Sequence, residues 1–269
     1  MWRRSILQGV RRWASQTESA FPKASVSSGW GFSAQASGSG AKRTYARYLQ
    51  FPSRPRSSDW DPDKVLYGIL AANVGGWMLW QSNPKFMMKN GMVSPASVSE
   101  GRVWTLLTHG FSHRDGMHLI VNSLGIYMFG SSIGRMFGGK KLALVYAAGA
   151  VAGGLGHCAY EQWRVQQSVP EWYRKRALQS ATPALGASAA VSCMALLEVT
   201  LNPHSVVLLY GIIPLRMWQL GLLWVSLDVF GFLRQQGSGI SHSGHLGGAA
   251  AGLAFFAAYR RGRFNRRWW

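Results

Sequence analysis

The chain has 269 residues, with 29 Lys plus Arg against 10 Asp plus Glu, and a formal net charge of +19. That length holds one or two domains, and two cysteines, Cys158 and Cys193, are too few for a disulfide scaffold or a cysteine-rich zinc module. The charge suggests a nucleic-acid partner only until it is placed along the chain: it gathers in residues 1–58 and in the last ten residues, around long apolar stretches, so no nucleic-acid function is expected.

Residues 1–58 hold ten Lys or Arg and one acid, Glu18. They contain no apolar core of the roughly 7–15 residues that a secretory signal requires. The opening MWRRSILQGVRRWASQ suits a short basic amphipathic helix. Arg-rich, Ser-rich and acid-poor is the composition of an organellar transit peptide. The dense arginines at the extreme N-terminus favour the mitochondrion, with a chloroplast membrane as the alternative. The segment KRTYA around Tyr45 is the expected processing point, and a plain basic leader is the competing account. The expected organisation is a leader over 1–58, a membrane domain over 59–260 and a basic tail over 261–269.

Apolar segments then recur at 65–80, 117–134, 142–160, 184–200, 217–233 and 241–259. Each approaches the roughly 20 residues that cross a hydrocarbon core. Backbone polar groups in lipid must be satisfied within the segment, so helices are expected. The predicted fold is all-α, a polytopic bundle of six transmembrane helices, against the alternative of buried helices in a soluble protein. Six spans put both ends on one side. Basic residues occur in the loops of both sides, so the positive-inside signal is weak. The basic termini point towards the matrix, and with such a leader the mitochondrial inner membrane is the expected location.

The third and sixth segments are dense in small residues, reading LALVYAAGAVAGGLGHCAY and SHSGHLGGAAAGLAFFAAY. Such residues let helix backbones approach closely. Gly244, Gly248 and Gly252 recur every four residues and share one helical face. A glycine face of this kind is common as plain packing and says little about chemistry alone.

Polar residues inside such segments say more. Ser188 opens the fourth segment, His245 lies in the sixth, and His118 and Asn122 share a face of the second. Intramembrane His and Asn are unfavourable unless paired or facing a polar cavity. A lone membrane histidine is as often structural as functional, but this set suits acyl transfer. A serine hydroxyl needs an adjacent base to become a nucleophile, and His245 can take its proton and return it to the leaving amine. No carboxylate stands near either residue in sequence. A Ser–His dyad is therefore expected rather than a triad, with Asp228 and Glu198 away from the site. The Ser188 amide, the Asn122 side chain and a His118 nitrogen are candidate donors to the oxyanion. Gly186 relieves crowding just before the serine.

The strings HGFSHRDGMHLIVN (109–122), GAS (186–188) and HLGGAAAG (245–252) resemble the pattern of rhomboid intramembrane serine proteases. The resemblance covers about residues 60–260. It implies Ser188 as nucleophile, His245 as general base, and His118 and Asn122 as oxyanion donors. It also implies that Gly248 and Gly252 bring the histidine helix against the serine helix. His109 and His113 match a histidine pair of more structural role, and His242, one turn before His245, is not the expected base. The family has a six-helix bundle with a membrane-embedded loop, here 81–116. It uses no cofactor or metal and acts on membrane proteins with a destabilised transmembrane segment. Membrane lipid and such substrates are the expected partners; oligomeric state is left open. The chain departs from the pattern at Ala189 (usually Gly), Ser192 (often aromatic), Thr105 (usually Arg after Trp104) and Gly134 (commonly Glu). Those departures keep open a catalytically silent rhomboid-like protein that binds clients. A small membrane carrier is a third reading.

Overall fold

The computed structural model describes residues 60–209, 213–234 and 239–262. The expected leader, its Tyr45 processing point and most of the basic tail lie outside them.

Helix α1 (Pro62–Ser82) starts where Asp61 accepts hydrogen bonds from the amides of Asp63 and Lys64, with Pro62 at the first helical position. Asp, Asn or Ser at this place satisfies donors that the first turn leaves orphaned, and proline there forfeits no bond. Asn83 and Pro84 end α1, because a proline in the helix interior removes a donor and clashes with the preceding turn. Asn83 then caps α2 (Pro84–Asn90), and Ser94 caps α3 (Pro95–Ser99) through a reciprocal bond pair with Ser97. A further turn, α4 (Thr105–Thr108), runs into a 3-10 turn over His109–Phe111. The segment expected as one embedded loop, 81–116, is thus a run of short helices and turns, two of the helices capped by side chains.

Five longer helices follow. They are α5 (Gly116–Phe137), α6 (Gly139–Ser168), α8 (Ser188–Leu201), α9 (Met217–Arg234) and α10 (His242–Arg260). Together with α1 they overlie the six apolar segments. Helix α8 begins four residues later than its segment, because 181–187 is a loop. A short helix, α7 (Glu171–Gln179), lies between α6 and α8 and was not anticipated. The described residues form a mostly helical, all-α fold, with loops between the helices and one short pair of strands. Strands β1 (Val206–Leu209) and β2 (Ile213–Arg216) pair antiparallel, with Val206 opposite Arg216. Among the described residues, α6 alone is long and apolar enough to cross a membrane by length and composition.

The core sits between α1, α5, α6 and α8, where Leu66, Ile126, Ile133, Leu142, Val145, Tyr146 and Met194 are buried. Helix α10 packs on both α6 and α8, and its N-terminal half does so with backbone in close contact. A Cβ on Gly248 would fall inside van der Waals distance of the Ala189 carbonyl oxygen, and one on Gly252 would do so at the Cys193 carbonyl. On its other side, a Cβ on Gly247 would lie 2.5 Å from the Ala152 carbonyl oxygen. Only hydrogen fits at these contacts, so the glycines set the interhelical distance.

Candidate active site

Ser188 is the first residue of α8, and the loop before it is pinned on several sides. Val93 and Ala184 exchange backbone hydrogen bonds of 2.9 and 2.8 Å. The Gly186 amide donates to the His109 carbonyl at 2.9 Å, and the Ala187 amide donates to His113 Nε2 at 3.3 Å. Gly186 has φ +114°, and a Cβ there would lie 2.5 Å from His118 Cε1. Only glycine adopts that backbone freely and leaves that space. The expected role of Gly186 as relief of crowding thus has a concrete neighbour, the His118 ring.

The histidine-rich segment is itself anchored. His109 Nδ1 donates to the Thr105 carbonyl at 2.9 Å, and Trp80 Nε1 donates to Ser112 Oγ at 2.8 Å. Tyr146 donates to the Gly110 carbonyl at 2.7 Å and accepts from Asn73. His109 and His113 are 3% and 0% exposed. Burial disfavours the charged imidazolium and holds both well below the usual histidine value, at about 4. Both rings are therefore neutral near pH 7, as His113 must be to accept from Ala187.

Asp115 caps α5 by accepting from the His118 amide at 2.9 Å, which fixes the turn carrying His118. The His118 and His113 rings meet edge to face at 5.0 Å. Asn122 is buried one turn further, and its amide donates to the His118 carbonyl at 2.9 Å. His118 therefore stands beside the loop that leads into Ser188.

His245 lies in the first turn of α10, whose cap is Ser241. Its Nε2 is 2.9 Å from Ser188 Oγ. Its Nδ1 is 2.8 Å from Asp228 Oδ1, and the same oxygen is 2.9 Å from His242 Nδ1. This corrects the expectation that Asp228 falls away from the site. Helix α9 turns Asp228 inward, with a side chain only 9% exposed. Glu198 does remain apart, paired with Asn202 at 2.9 Å at the far end of α8. A carboxylate can only accept from Nδ1–H, so His245 Nε2 carries the lone pair that accepts the Ser188 hydroxyl hydrogen bond.

His157, on α6, also went unread in the sequence. Its Nδ1 accepts from Ser241 Oγ and its Nε2 donates to the Thr182 carbonyl, both at 2.9 Å. One ring thus ties the cap of α10 to the loop ahead of Ser188. A signal existed, since His157 is an intramembrane histidine amid Gly and Ala. Nothing in its spacing named its partners.

The ligand atoms of Asp228, His242 and His245 lie within 4.8 Å of one another, a set that can hold a metal ion. The hydrogen bonds among them already account for their proximity. Three of the departures from the pattern pack closely on their neighbours. Ala189 packs its Cβ against Gly153, Thr105 is buried against Ser97, and Gly134 lies against Pro62 and Leu142. Ser192 lines an apolar cavity with Trp224, Asp228 and Leu246.

A helical bundle that sets a serine against a histidine through glycine contacts is matched by the Rhomboid domain over residues 100–262, more than half of the chain. The chain belongs to the rhomboid family. It is 37% identical to "RHOMBOID-like protein 12, mitochondrial" of Arabidopsis thaliana, over 76% of this chain and 61% of that protein. It is 31% identical to "Rhomboid-like protein 16, chloroplastic" of the same organism, over 74% of this chain and 63% of that protein. It is 28% identical to "Rhomboid protease GluP" of Bacillus subtilis, over 76% of this chain and 35% of that protein. The chain thus spans about three fifths of the length of the two plant relatives. The higher identity to the mitochondrial relative favours a mitochondrial over a chloroplast membrane.

Proposed function

We propose that this protein is a serine-type intramembrane endopeptidase that cleaves membrane-protein substrates in or near a transmembrane segment. The observation that carries this reading is the 2.9 Å approach of Ser188 Oγ to His245 Nε2, across two helices held together by glycine. Membership of the rhomboid family supports it.

Ser188 Oγ attacks the scissile carbonyl carbon while its proton passes to His245 Nε2. The tetrahedral oxyanion forms beside the N-terminus of α8, where the Ser188 amide has no carbonyl one turn earlier to bond. The Asn122 amide and the His118 ring are the further donors. The C–N bond then breaks, and His245 returns its proton to the leaving amine. Water attacks the acyl-enzyme with His245 as base again, releasing the carboxylic acid and restoring the serine hydroxyl.

The six long helices are six crossings, with both chain ends in the matrix. Ser188, His118 and His245 all lie near the starts of even-numbered crossings, so the site opens towards the intermembrane space. Residues 1–58 act as the mitochondrial leader, 59–260 as the membrane domain and 261–269 as a basic matrix tail. The protein then resides in the inner membrane.

The test is reconstitution in lipid with a labelled single-span membrane substrate. Ser188→Ala and His245→Ala should each lower the cleavage rate by about 10³-fold or more. Undiminished cleavage by Ser188→Ala removes the assignment, and binding without turnover by the wild type favours a non-catalytic client-binding protein.

A further inference from the structure

We propose that Asp228, held by His242, is the positioning residue that keeps His245 oriented towards Ser188. The inference rests on the reading of Ser188 and His245 given above and adds a third and a fourth member to it.

The geometry is that of a chain of hydrogen bonds. Ser188 Oγ meets one nitrogen of the His245 ring at 2.9 Å, and Asp228 Oδ1 meets the other at 2.8 Å. A neutral imidazole carries its proton on either nitrogen, and only the Nδ1–H form leaves Nε2 free to act as base. The carboxylate selects that form and fixes the ring plane. It also opposes the positive charge that the ring gains when it takes the serine proton.

Asp228 is built into place rather than passing by. A carboxylate 9% exposed among helices is unfavourable without hydrogen-bond partners. Its Oδ1 has two of them, His245 at 2.8 Å and His242 at 2.9 Å. The His242 ring reaches Asp228 only because Gly231, one turn further along α9, has no side chain. A Cβ there would overlap that ring. Small Ser192, on α8, lines the same cavity as Asp228 and leaves the carboxylate room to approach the base.

Asp228→Asn in the full chain tests the idea, assayed on the reconstituted protein with a labelled single-span substrate. Asparagine keeps the shape but can present its NH₂ to the ring and favour the wrong tautomer. We expect kcat to fall by roughly 10²- to 10⁴-fold with KM changed less than about twofold. Labelling of Ser188 by a fluorophosphonate should slow by a similar factor. Asp228→Glu should recover part of the rate, and His242→Gln should cost about three- to tenfold in kcat. A role confined to packing would leave kcat and labelling unchanged in the folded variants.

An Asp228→Asn protein with kcat within threefold of wild type overturns the proposal. If that variant is not recovered folded, unchanged kcat and labelling in His242→Gln overturns it instead. Activity lost to a chelator and restored by zinc would also overturn it, assigning the three side chains to a cation. These failures leave the protease reading standing, because wild-type cleavage would still depend on Ser188. Cleavage independent of Ser188 would remove both.

Discussion

Helices α8 and α9 are neighbours in sequence but are built on opposite plans. Helix α8 buries nine of its 14 residues, and α10 meets it through glycine against backbone. Helix α9 buries four of 18, namely Met217, Leu220, Gly221 and Asp228, while Leu222, Leu227 and Leu233 are 63%, 59% and 70% exposed. Close backbone packing gives a tight, fixed distance, and that is what the contact between Ser188 and His245 requires. A large apolar side chain facing outward suits a lipid-facing surface. The lesson is that α9 contributes to the site through one side chain, Asp228, while α8 and α10 contribute their whole axes.

The contrast is broken most severely by filling the α8–α10 contact. Gly248→Val must push apart two backbones, because the Ala189 carbonyl occupies the space. Overpacking of this kind costs about 3 kcal/mol or more. We expect a clear loss of thermal stability in detergent, and loss of cleavage even where the protein folds.

Acid should act next. His109 and His113 have folded values near 4, against an ordinary value of 6.5. Between those values the unfolded chain binds more protons than the folded one, so stability is full above about pH 6.5 and declines as the pH falls towards 4. Each ring contributes up to ~3 kcal/mol by this route. The unfolding midpoint should drop between pH 7 and pH 4.5, and His109→Gln should flatten that slope. An unchanged slope in this variant would remove His109 from the account.

His157→Leu should have a moderate effect. It leaves the Thr182 carbonyl and the Ser241 hydroxyl without their ring partner. Losing buried partners of this kind costs about 1–3 kcal/mol. Because the two bonds steer the ends of α8 and α10 that bear Ser188 and His245, we expect kcat to fall about tenfold. The smallest effect belongs to Leu227→Ala on the exposed face of α9, within about 0.5 kcal/mol and twofold in rate. A large effect there would mean that this face docks against another helix.

Much of this could be read from residue order alone. The six apolar segments and the glycine spacing are local features, and local features write themselves into short windows of sequence. Ser188, His245, His118 and Asn122 stand out as candidates for the same reason, since each is a polar group in an apolar run. Strands β1 and β2 and helix α7 were not legible, because none has a strong period and each is short.

Asp228 marks the boundary between the two kinds of information. Its sequence shows a single acid in an apolar helix, 17 residues from His245. Whether that acid meets His245 depends on how far α9 rotates about its own axis. That rotation is decided by Gly221 against Val199, Gly231 against His242 and Trp224 against Phe129. Hydrophobic and helix-capping free energies act over a few residues, so the chain by itself determined its helices and the polar groups they carry. The register between helices is a sum of many contacts distant in sequence. Only the tertiary structure could decide that a third side chain stands behind His245.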